Sequence, residues 1–353
     1  MFALACRGVI TLPARASVSL PATRASISLP ARHARGTTSC VRTKINVLVA
    51  VQRYASQSRI GLKRAAKTRT LKEMAGAPAD GSAISIGRGA VAGAAAIGVG
   101  ALCYYGLGMS KDVGTLERAA MWPSYVRERI QATYAYFGVG IASTAASAIA
   151  ISRNPALMTR LMPKSWVGAL GMMGVVMCSG FICMSVPYTE GIMGGKQLAW
   201  LAHSGLLGAV LAPMTLLGGQ LLIRAAWYTA GVVGGLSCVA TCAPSEKFLY
   251  IGGPLAMGLG VVIAASIGGM FFAPSTALGS GLYAISMYGG LILFSGFLLY
   301  DTQLIMKRAE TYPIMAQQPY DPINSAMGIY MDTVNIFIRI AMILSNSSGG
   351  RRK

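Results

Sequence analysis

Acidic side chains are scarce in this chain, since only 11 of its 353 residues are Asp or Glu. Charged residues of both signs make up 12% of the sequence, against about 25% in soluble domains. Hydrophobic residues make up 54%. The shortage of charge therefore excludes an ordinary soluble domain. No series of alternating ten-residue strand segments is present either, which argues against an outer-membrane barrel.

Residues that usually carry enzyme chemistry are also few. The chain has two histidines, no HExxH motif and no phosphate-binding glycine loop. His203, the only histidine beyond residue 33, is predicted to be a packed or hydrogen-bonded helix residue rather than a metal ligand. The seven cysteines form no CxxC pair, and Cys238 and Cys242 are predicted to pack as small apolar side chains. The sequence therefore predicts a protein that is not an enzyme and holds no cofactor.

What the chain does contain is apolar sequence in runs long enough to cross a bilayer. A transmembrane helix needs about 20 apolar residues, and Pro, Gly or charged residues separate eight such runs here. We therefore predict an all-α, polytopic membrane helix bundle of about eight spans that is embedded in the lipid bilayer. The predicted spans are 88–108, 131–151, 166–186, 198–218, 222–242, 249–271, 279–301 and 322–344.

The first 72 residues hold 14 of the 31 Lys and Arg residues, and the first acidic residue is Glu73. A basic, Ser-rich and acid-poor opening is typical of a mitochondrial transit peptide. We predict a transit peptide over residues 1–54, removed by cleavage near Tyr54. The alternative is a disordered basic arm that binds nucleic acid or anionic lipid. The membrane domain that follows favours the transit peptide, so no nucleic-acid partner is predicted.

Basic residues also orient the predicted spans. After the presequence come a basic segment (55–87), the transmembrane domain (88–344) and a basic tail (345–353). With an even number of spans, residues 55–90, the link 152–165 and the tail share one side, which holds 13 Lys and Arg and two acids. The links on the opposite side hold eight Lys and Arg and seven acidic residues. The positive-inside rule then places both termini in the matrix of the mitochondrial inner membrane.

Asp332 lies inside the last apolar run, where a charged side chain costs about 2.5–3.5 kcal/mol on insertion scales. On a helical wheel Ser325, Asn335 and Arg339 fall within 60° of Asp332, so the run carries one polar stripe. Such a stripe belongs in the bundle interior, where it marks an ion or proton pathway. The alternative is a polar seam that only holds helices together. Arg339 could also simply snorkel toward the membrane surface.

Asp301 ends the preceding run, with Arg308 on the same face of the wheel. By itself it could be a hydrated carboxylate at the membrane surface.

Small residues provide a second pattern, since Gly138, Ala142, Ala146 and Ala150 form a line at four-residue spacing. That line is predicted to be a packing seam between helices, with a homo-oligomer contact as the alternative.

Two segments resemble a known family. LLYDTQ (298–303) and YDPINSAMGIYMDTVNIF (320–337) are similar to the transmembrane Bax-inhibitor-motif family. The resemblance implies a seven-helix core, here preceded by one added span, and passage of Ca²⁺ linked to pH. It also implies that Asp301 and Asp332 form a hydrogen-bonded, proton-sensing pair. Several members carry an acid and an arginine on an early core helix, but residues 166–186 have no charge. Arg224 and Arg339 are the candidates for a replacement arginine latch.

The expected mechanism follows from the pair. Two close carboxylates cannot both ionise cheaply, so they can share one proton and hold their helices together. Deprotonated, they offer oxygen ligands to a transient Ca²⁺, although Asn335, water or backbone carbonyls must complete the shell. Transport of Ca²⁺ in exchange for protons is predicted, with a proton-gated Ca²⁺ leak channel as the alternative. The rival function is a scaffold that maintains cristae, binds inner-membrane proteins and retains cytochrome c against apoptosis.

Overall fold

The computed structural model describes residues 76–79, 81–106, 122–162, 165–189, 191, 194–243 and 246–349. The predicted transit peptide, its cleavage site near Tyr54, most of the basic segment and the last tail residues lie outside these ranges.

The described chain is helical, and it includes eight helices long and apolar enough to cross a membrane. This confirms the predicted all-α bundle and its number of spans. Short 3₁₀ segments follow α5 (Ala212–Leu217) and precede α7 (Leu249–Ile251), and a π-helical turn (Ile285–Gly289) joins α8 to α9. The α-helices are α1 Ser82–Gly106, α2 Ser124–Ser152, α3 Pro155–Leu161, α4 Trp166–Ser185, α5 Gly195–Leu211, α6 Gly219–Cys242, α7 Gly252–Phe271, α8 Ala277–Ala284, α9 Gly290–Thr311 and α10 Pro322–Gly349.

The central helix of the bundle is α10. It packs against α2, α6 and α9, while α4 lies on α5, α7 lies on α9, and α1 lies on α6. Two-thirds of the most apolar stretch of α10 is buried, compared with 17% for α4, α6 and α7. The polar stripe of α10 is therefore enclosed by other helices, as the wheel predicted.

The start of α10 is fixed by its first residues. Asp321 accepts hydrogen bonds at Oδ1 from the backbone N–H groups of Ile323 and Asn324, both at 3.0 Å. Pro322 occupies the first helical position, where its missing N–H costs nothing. The sequence Asp-Pro is thus a helix start, and it sets which face each later residue of α10 presents.

The helix that carries Asp301 is longer than predicted. The predicted apolar span ends at Asp301, whereas the helix α9 continues to Thr311. Ile305, Met306 and Ala309 are buried, so an apolar face persists after the polar residues begin. Pro313, two residues beyond the end, cannot continue the helix. Asp301 therefore lies inside the bundle, more than two turns from the end of its helix.

The predicted small-residue seam on α2 faces outward. Gly138, Ala142, Ala146 and Ala150 are all exposed, so the expectation that they pack against a neighbouring helix of this chain is wrong. Packing uses the adjacent face instead. A side chain at Gly140 would overlap the ring of Trp200 on α5, so this glycine makes room for the bulkiest buried residue.

Candidate ion site

The motif Tyr-Asp-Thr-Gln on α9 places its side chains on different neighbours, because consecutive helical residues are 100° apart. The Tyr300 ring packs against Gly252 at the start of α7. Thr302 donates from Oγ1 to the carbonyl of Leu298 at 2.7 Å, and its hydroxyl faces Tyr134 of α2. The motif therefore fixes α9 against several helices at the level of Asp301.

Gln303 fastens the same turn to the link between α6 and α7. Its Nε2 donates to the carbonyl of Ala240 at 3.2 Å, and its Oε1 accepts from the N–H of Phe248 at 2.8 Å. A glutamine can donate and accept at once, which is what these two backbone groups require. Gln303 thus provides hydrogen-bond partners for a carbonyl in the last turn of α6 and for an N–H group in the link that follows.

Asp301 points from α9 to α10, where it meets Asp332. The two carboxyl groups lie within reach of a side-chain hydrogen bond. A side chain at Gly328 would overlap the Asp301 carboxylate, so the absence of a side chain there lets Asp301 approach α10. The structure brings together the two aspartates that the resemblance paired.

Asp332 is the deeper member of the pair, since only 5% of it is exposed. Within the described residues its Oδ2 is buried and has no hydrogen-bond partner. Two bare carboxylates in contact would repel each other, so this arrangement suits a pair that holds a proton or a cation.

A cavity of about 210 Å³ leads to Asp301 from one end of the bundle. The polar residues among its walls are Asp301, Arg308, Asn324 and Ser325. Arg308 is exposed, lies two turns beyond Asp301 on the same face of α9 and interacts electrostatically with it. Ser325 is buried and donates from Oγ to the carbonyl of Asp321 at 3.0 Å. Water and ions can therefore approach Asp301 from the end where α9 stops and α10 begins.

Arg339 lies on the other side of the pair, two turns past Asp332. Its Nη1 donates to the backbone oxygen and Oδ1 of Asn335 at 3.0 and 3.1 Å, and its Nε donates to the carbonyl of Ser286 at 3.3 Å. The guanidinium carbon lies 4.5 Å from the centre of the Phe294 ring. Gly290 leaves the space for this side chain. Arg339 thus joins α10 to the π-helical turn, and it occupies the amide oxygen of Asn335.

Arg224, the other candidate latch, is not near the pair. It is exposed on the outer face of α6, one turn from the exposed Trp227, and it is not among the walls of the cavity. Of the two arginines named from the sequence, Arg339 is inside the bundle and Arg224 is on its surface. The arginine that interacts electrostatically with Asp301 is instead Arg308, which the helical wheel places on the same face of α9.

A buried ion pair closes the bundle beside the cavity. Lys196, at the start of α5, is 1% exposed and donates from Nζ to the carboxylate of Asp321 and to the carbonyl of Val186 at 3.0 Å. Sequence reasoning missed Lys196 because it lies in a polar link between two apolar runs. The pair joins the ends of α4, α5 and α10.

An arginine surrounded by tyrosines holds the end of α9. Arg129 of α2 donates from Nη1 to the carbonyls of Ala309 and Tyr312 at 3.0 and 2.9 Å. Its guanidinium carbon also lies 5.0–5.4 Å from the ring centres of three tyrosines, Tyr125, Tyr312 and Tyr320. These contacts satisfy helix-end carbonyls and fix the link that leads to α10.

His203 is a residue of α5 and packs against α10 on the side opposite Asp332. It is buried, its Nδ1 lies 2.8 Å from the Ser179 hydroxyl, and it packs between Trp200 and Tyr330. No group of three or more potential metal ligands was found among the residues that the structure describes. The histidine is therefore a packed, hydrogen-bonded helix residue, as the sequence predicted.

Comparisons with known proteins match this chain to one family. The family model described as inhibitor of apoptosis-promoting Bax1 matches residues 126–349, which include the aspartate pair and the cavity. Growth hormone-inducible transmembrane protein of Rattus norvegicus is 50% identical over 309 residues, which cover 87% of this chain and 89% of that protein. Bax inhibitor 1 of Oryza sativa subsp. japonica is 32% identical over 186 residues, 50% of this chain and 70% of the relative. Bax inhibitor 1 of Rattus norvegicus is 26% identical over 204 residues, 56% of this chain and 78% of the relative.

Proposed function

The chain belongs to the Bax inhibitor family of transmembrane proteins, and on that premise we propose that it carries Ca²⁺ across a membrane in exchange for protons. The observation that carries the proposal is the contact between Asp301 and Asp332, a pair of carboxyl groups within the membrane-spanning bundle. Intramembrane carboxyl groups are costly and mark ion or proton pathways. Asp301 also lines the cavity, which gives the pair access to water from one end.

The chemistry of exchange is competition for the same oxygens. With one shared proton, one carboxyl donates a hydrogen bond to the other and α9 stays against α10. Loss of that proton leaves two negative groups, which repel each other unless a cation lies between them. Ca²⁺ prefers oxygen ligands and relieves this repulsion. Binding of Ca²⁺ then requires release of the proton, and return of the proton releases Ca²⁺.

Access from the two ends of the bundle differs. The cavity reaches Asp301 from the end where α10 begins, whereas Arg339 and its partners fill the polar stripe beyond Asp332. A buried guanidinium repels cations. We infer that the described conformation exposes the site to one side and that passage to the other side requires Arg339 to move.

The proposed location is the mitochondrial inner membrane, with both termini in the matrix. It is supported by the basic, acid-poor opening of the chain and by the excess of basic residues on the side of the termini. In this orientation the cavity opens toward the intermembrane space.

Two observations favour a second candidate, an inner-membrane scaffold that maintains cristae and retains cytochrome c. The matching family is described as an inhibitor of apoptosis-promoting Bax1, a description that names no transport. The line Gly138, Ala142, Ala146 and Ala150 is exposed on α2 and would suit contact with a second copy of the chain. A scaffold needs no titratable pair, so the two functions differ in what neutralising Asp332 does.

The test measures Ca²⁺ entry and internal pH together in proteoliposomes, for wild type, Asp332→Asn and the control Glu310→Gln. Glu310 is an acid on the same helix as Asp301 but outside the pair. Because protons and Ca²⁺ compete, wild-type flux should rise as pH rises, with protons moving against Ca²⁺. Asp332→Asn should lower flux by about tenfold or more and remove its pH dependence. Glu310→Gln should behave as wild type.

Three results would contradict parts of this proposal. If Ca²⁺ moves without counter-movement of protons at every pH, exchange is wrong and the protein is a proton-gated leak channel. If the wild type shows no Ca²⁺ flux at any pH, transport is wrong and the scaffold function is favoured. Equal flux in wild type and Asp332→Asn removes the pair from the pathway.

A further inference from the structure

Asn324, in the first turns of α10, has an amide whose two ends are used unequally. Its Nδ2 donates to the carbonyl of Met184 at 3.3 Å, which fixes the direction of the amide. Its Oδ1 is buried and has no hydrogen-bond partner within the described part of the chain. Burial of a carbonyl oxygen without a hydrogen-bond donor is unfavourable, so such a group calls for a reason.

Asn324 lines the cavity together with Asp301 and Ser325. Along α10 it lies one turn before Gly328, and Asp332 lies one turn after. Side chains four residues apart on a helix are about 5–6 Å apart at Cβ. The Asp301 carboxylate meets α10 at Gly328, which places it between Asn324 on one side and Asp332 on the other.

The two carboxyl groups alone cannot complete a Ca²⁺ shell, because Ca²⁺ takes six to eight oxygens. The sequence predicts Asn335 as a further ligand. In the structure Asn335 Oδ1 already accepts a hydrogen bond from Arg339, at 3.1 Å. The Asn335 Nδ2 also donates to the carbonyl of Met331, at 2.8 Å. Both ends of the Asn335 amide are therefore engaged by neighbouring groups, whereas the oxygen of Asn324 has no partner among the described residues.

We propose that Asn324 supplies a side-chain oxygen to the divalent cation as it binds at Asp301 from the cavity, and so sets the affinity of the site. The inference rests on the proposed transport of Ca²⁺. Asn324 acts as the outer ligand, Asp301 as the shared one and Asp332 as the inner one, with water and Ser325 Oγ available for the remaining positions.

Two substitutions at Asn324 separate a ligand from a structural tether. Asn324→Leu keeps the approximate size but removes both the oxygen and the donor to Met184. Asn324→Asp also removes the donor but keeps an oxygen ligand and adds charge. A ligand role predicts that Leu weakens Ca²⁺ binding and Asp does not. A tether role predicts that both substitutions have the same effect.

The measurements are the Ca²⁺ concentration for half-maximal flux in proteoliposomes and the rise in thermal unfolding midpoint that Ca²⁺ causes in detergent. We expect Asn324→Leu to raise the half-maximal concentration about tenfold with little change in maximal rate, and to reduce the thermal shift. Asn324→Asp should keep both near wild type or strengthen them. Asn346→Leu, at the far end of α10 where Nδ2 donates to Tyr283, is the matched control and should match wild type.

Unfolding midpoints in a chelator show whether each variant folds, and Asn324→Ala replaces the Leu variant if that one does not. Equal losses in the Leu and Asp variants overturn the ligand role, as does an unchanged Ca²⁺ affinity in Asn324→Leu. A wild-type protein that shows neither Ca²⁺ flux nor a Ca²⁺-induced thermal shift overturns the transport function itself, and the ligand role with it.

Discussion

Gly328 decides how closely the two aspartates approach each other. A Cβ atom at this position would overlap the Asp301 carboxylate, so Gly328→Ala must push Asp301 away from α10. Overpacking of this kind costs about 1–3 kcal/mol, which displacement of the carboxylate relieves. We expect a folded protein whose Ca²⁺ flux is lower and less dependent on pH, measured in proteoliposomes.

The control for that change is Gly281→Ala, a helical glycine of the preceding span with open space where a side chain would be. It should leave flux and its pH dependence unchanged. A Gly328→Ala protein with wild-type pH dependence would mean that close approach of Asp301 to α10 is not needed.

Lys196 and Asp321 form a buried ion pair that is expected to stabilise the folded protein. Removing one partner of a buried pair typically costs 3–5 kcal/mol, because the other charge stays behind. Asp321 is 22% exposed, so water takes up part of that cost. We expect Lys196→Met to destabilise the protein by about 2 kcal/mol, seen as a lower thermal unfolding midpoint in detergent.

An exposed ion pair provides the comparison. Lys307 and Glu246 lie 2.7 Å apart with side chains 43% and 49% exposed, and such surface pairs contribute little. Lys307→Met should leave the unfolding midpoint close to that of wild type. Equal midpoints for Lys196→Met and Lys307→Met would show that burial of Lys196 adds nothing to its pairing.

At the scale of helices, α2 shows that two glycines two residues apart have opposite roles. Gly140 faces Trp200 and Tyr330 inside the bundle, whereas Gly138 faces outward into open space. Gly140→Ala should destabilise the α2–α5 contact by about 1–3 kcal/mol through overpacking. Gly138→Ala should be neutral or slightly stabilising, because alanine favours helix. Thermal unfolding of both variants measures the difference.

This pair of variants also tests the surface of α2. If Gly138→Ala destabilises in detergent while Gly140→Ala does not, the packing described for α2 has the wrong face inward. A line of small residues alone does not say which face is buried, since lipid accepts small residues as readily as a helix neighbour does.

At the scale of the whole molecule, the eight spans fix the relation between the cavity and the chain ends. The link 312–321 and the C-terminus are separated by one span, α10, and so lie on opposite sides of the membrane. Met315 in that link is 98% exposed, which makes it suitable for an inserted epitope. In mitochondria without their outer membrane, we expect protease to remove an epitope at Met315 and to spare one after Lys353.

Permeabilising the inner membrane should then expose both epitopes, which controls for protease access. Removal of the Lys353 epitope with protection of Met315 would reverse the proposed orientation and turn the cavity toward the matrix. Equal protection of the two epitopes would contradict a spanning α10.

The sequence by itself determined the class of fold and much of the site. Runs of apolar residues of fixed length specify spanning helices, because backbone groups in lipid must pair within the helix. The wheel placed Ser325, Asp332, Asn335 and Arg339 on one face of α10, since helical geometry depends only on residue spacing. Asp301 could be paired with Asp332 only through the family resemblance, because the helical periodicity of a segment does not show which other helix it contacts.

Only the tertiary structure decided which groups meet. It showed that α9 extends past Asp301, that Arg339 is bound to Asn335 and the π-helical turn, and that Asn324, a residue of the cavity wall, has a buried oxygen without a hydrogen-bond partner among the described residues. It also turned Gly138 outward and Gly140 inward. These facts depend on which neighbours surround each helix and how closely backbones approach. Packing among distant segments sets them, and neither composition nor periodicity reports it.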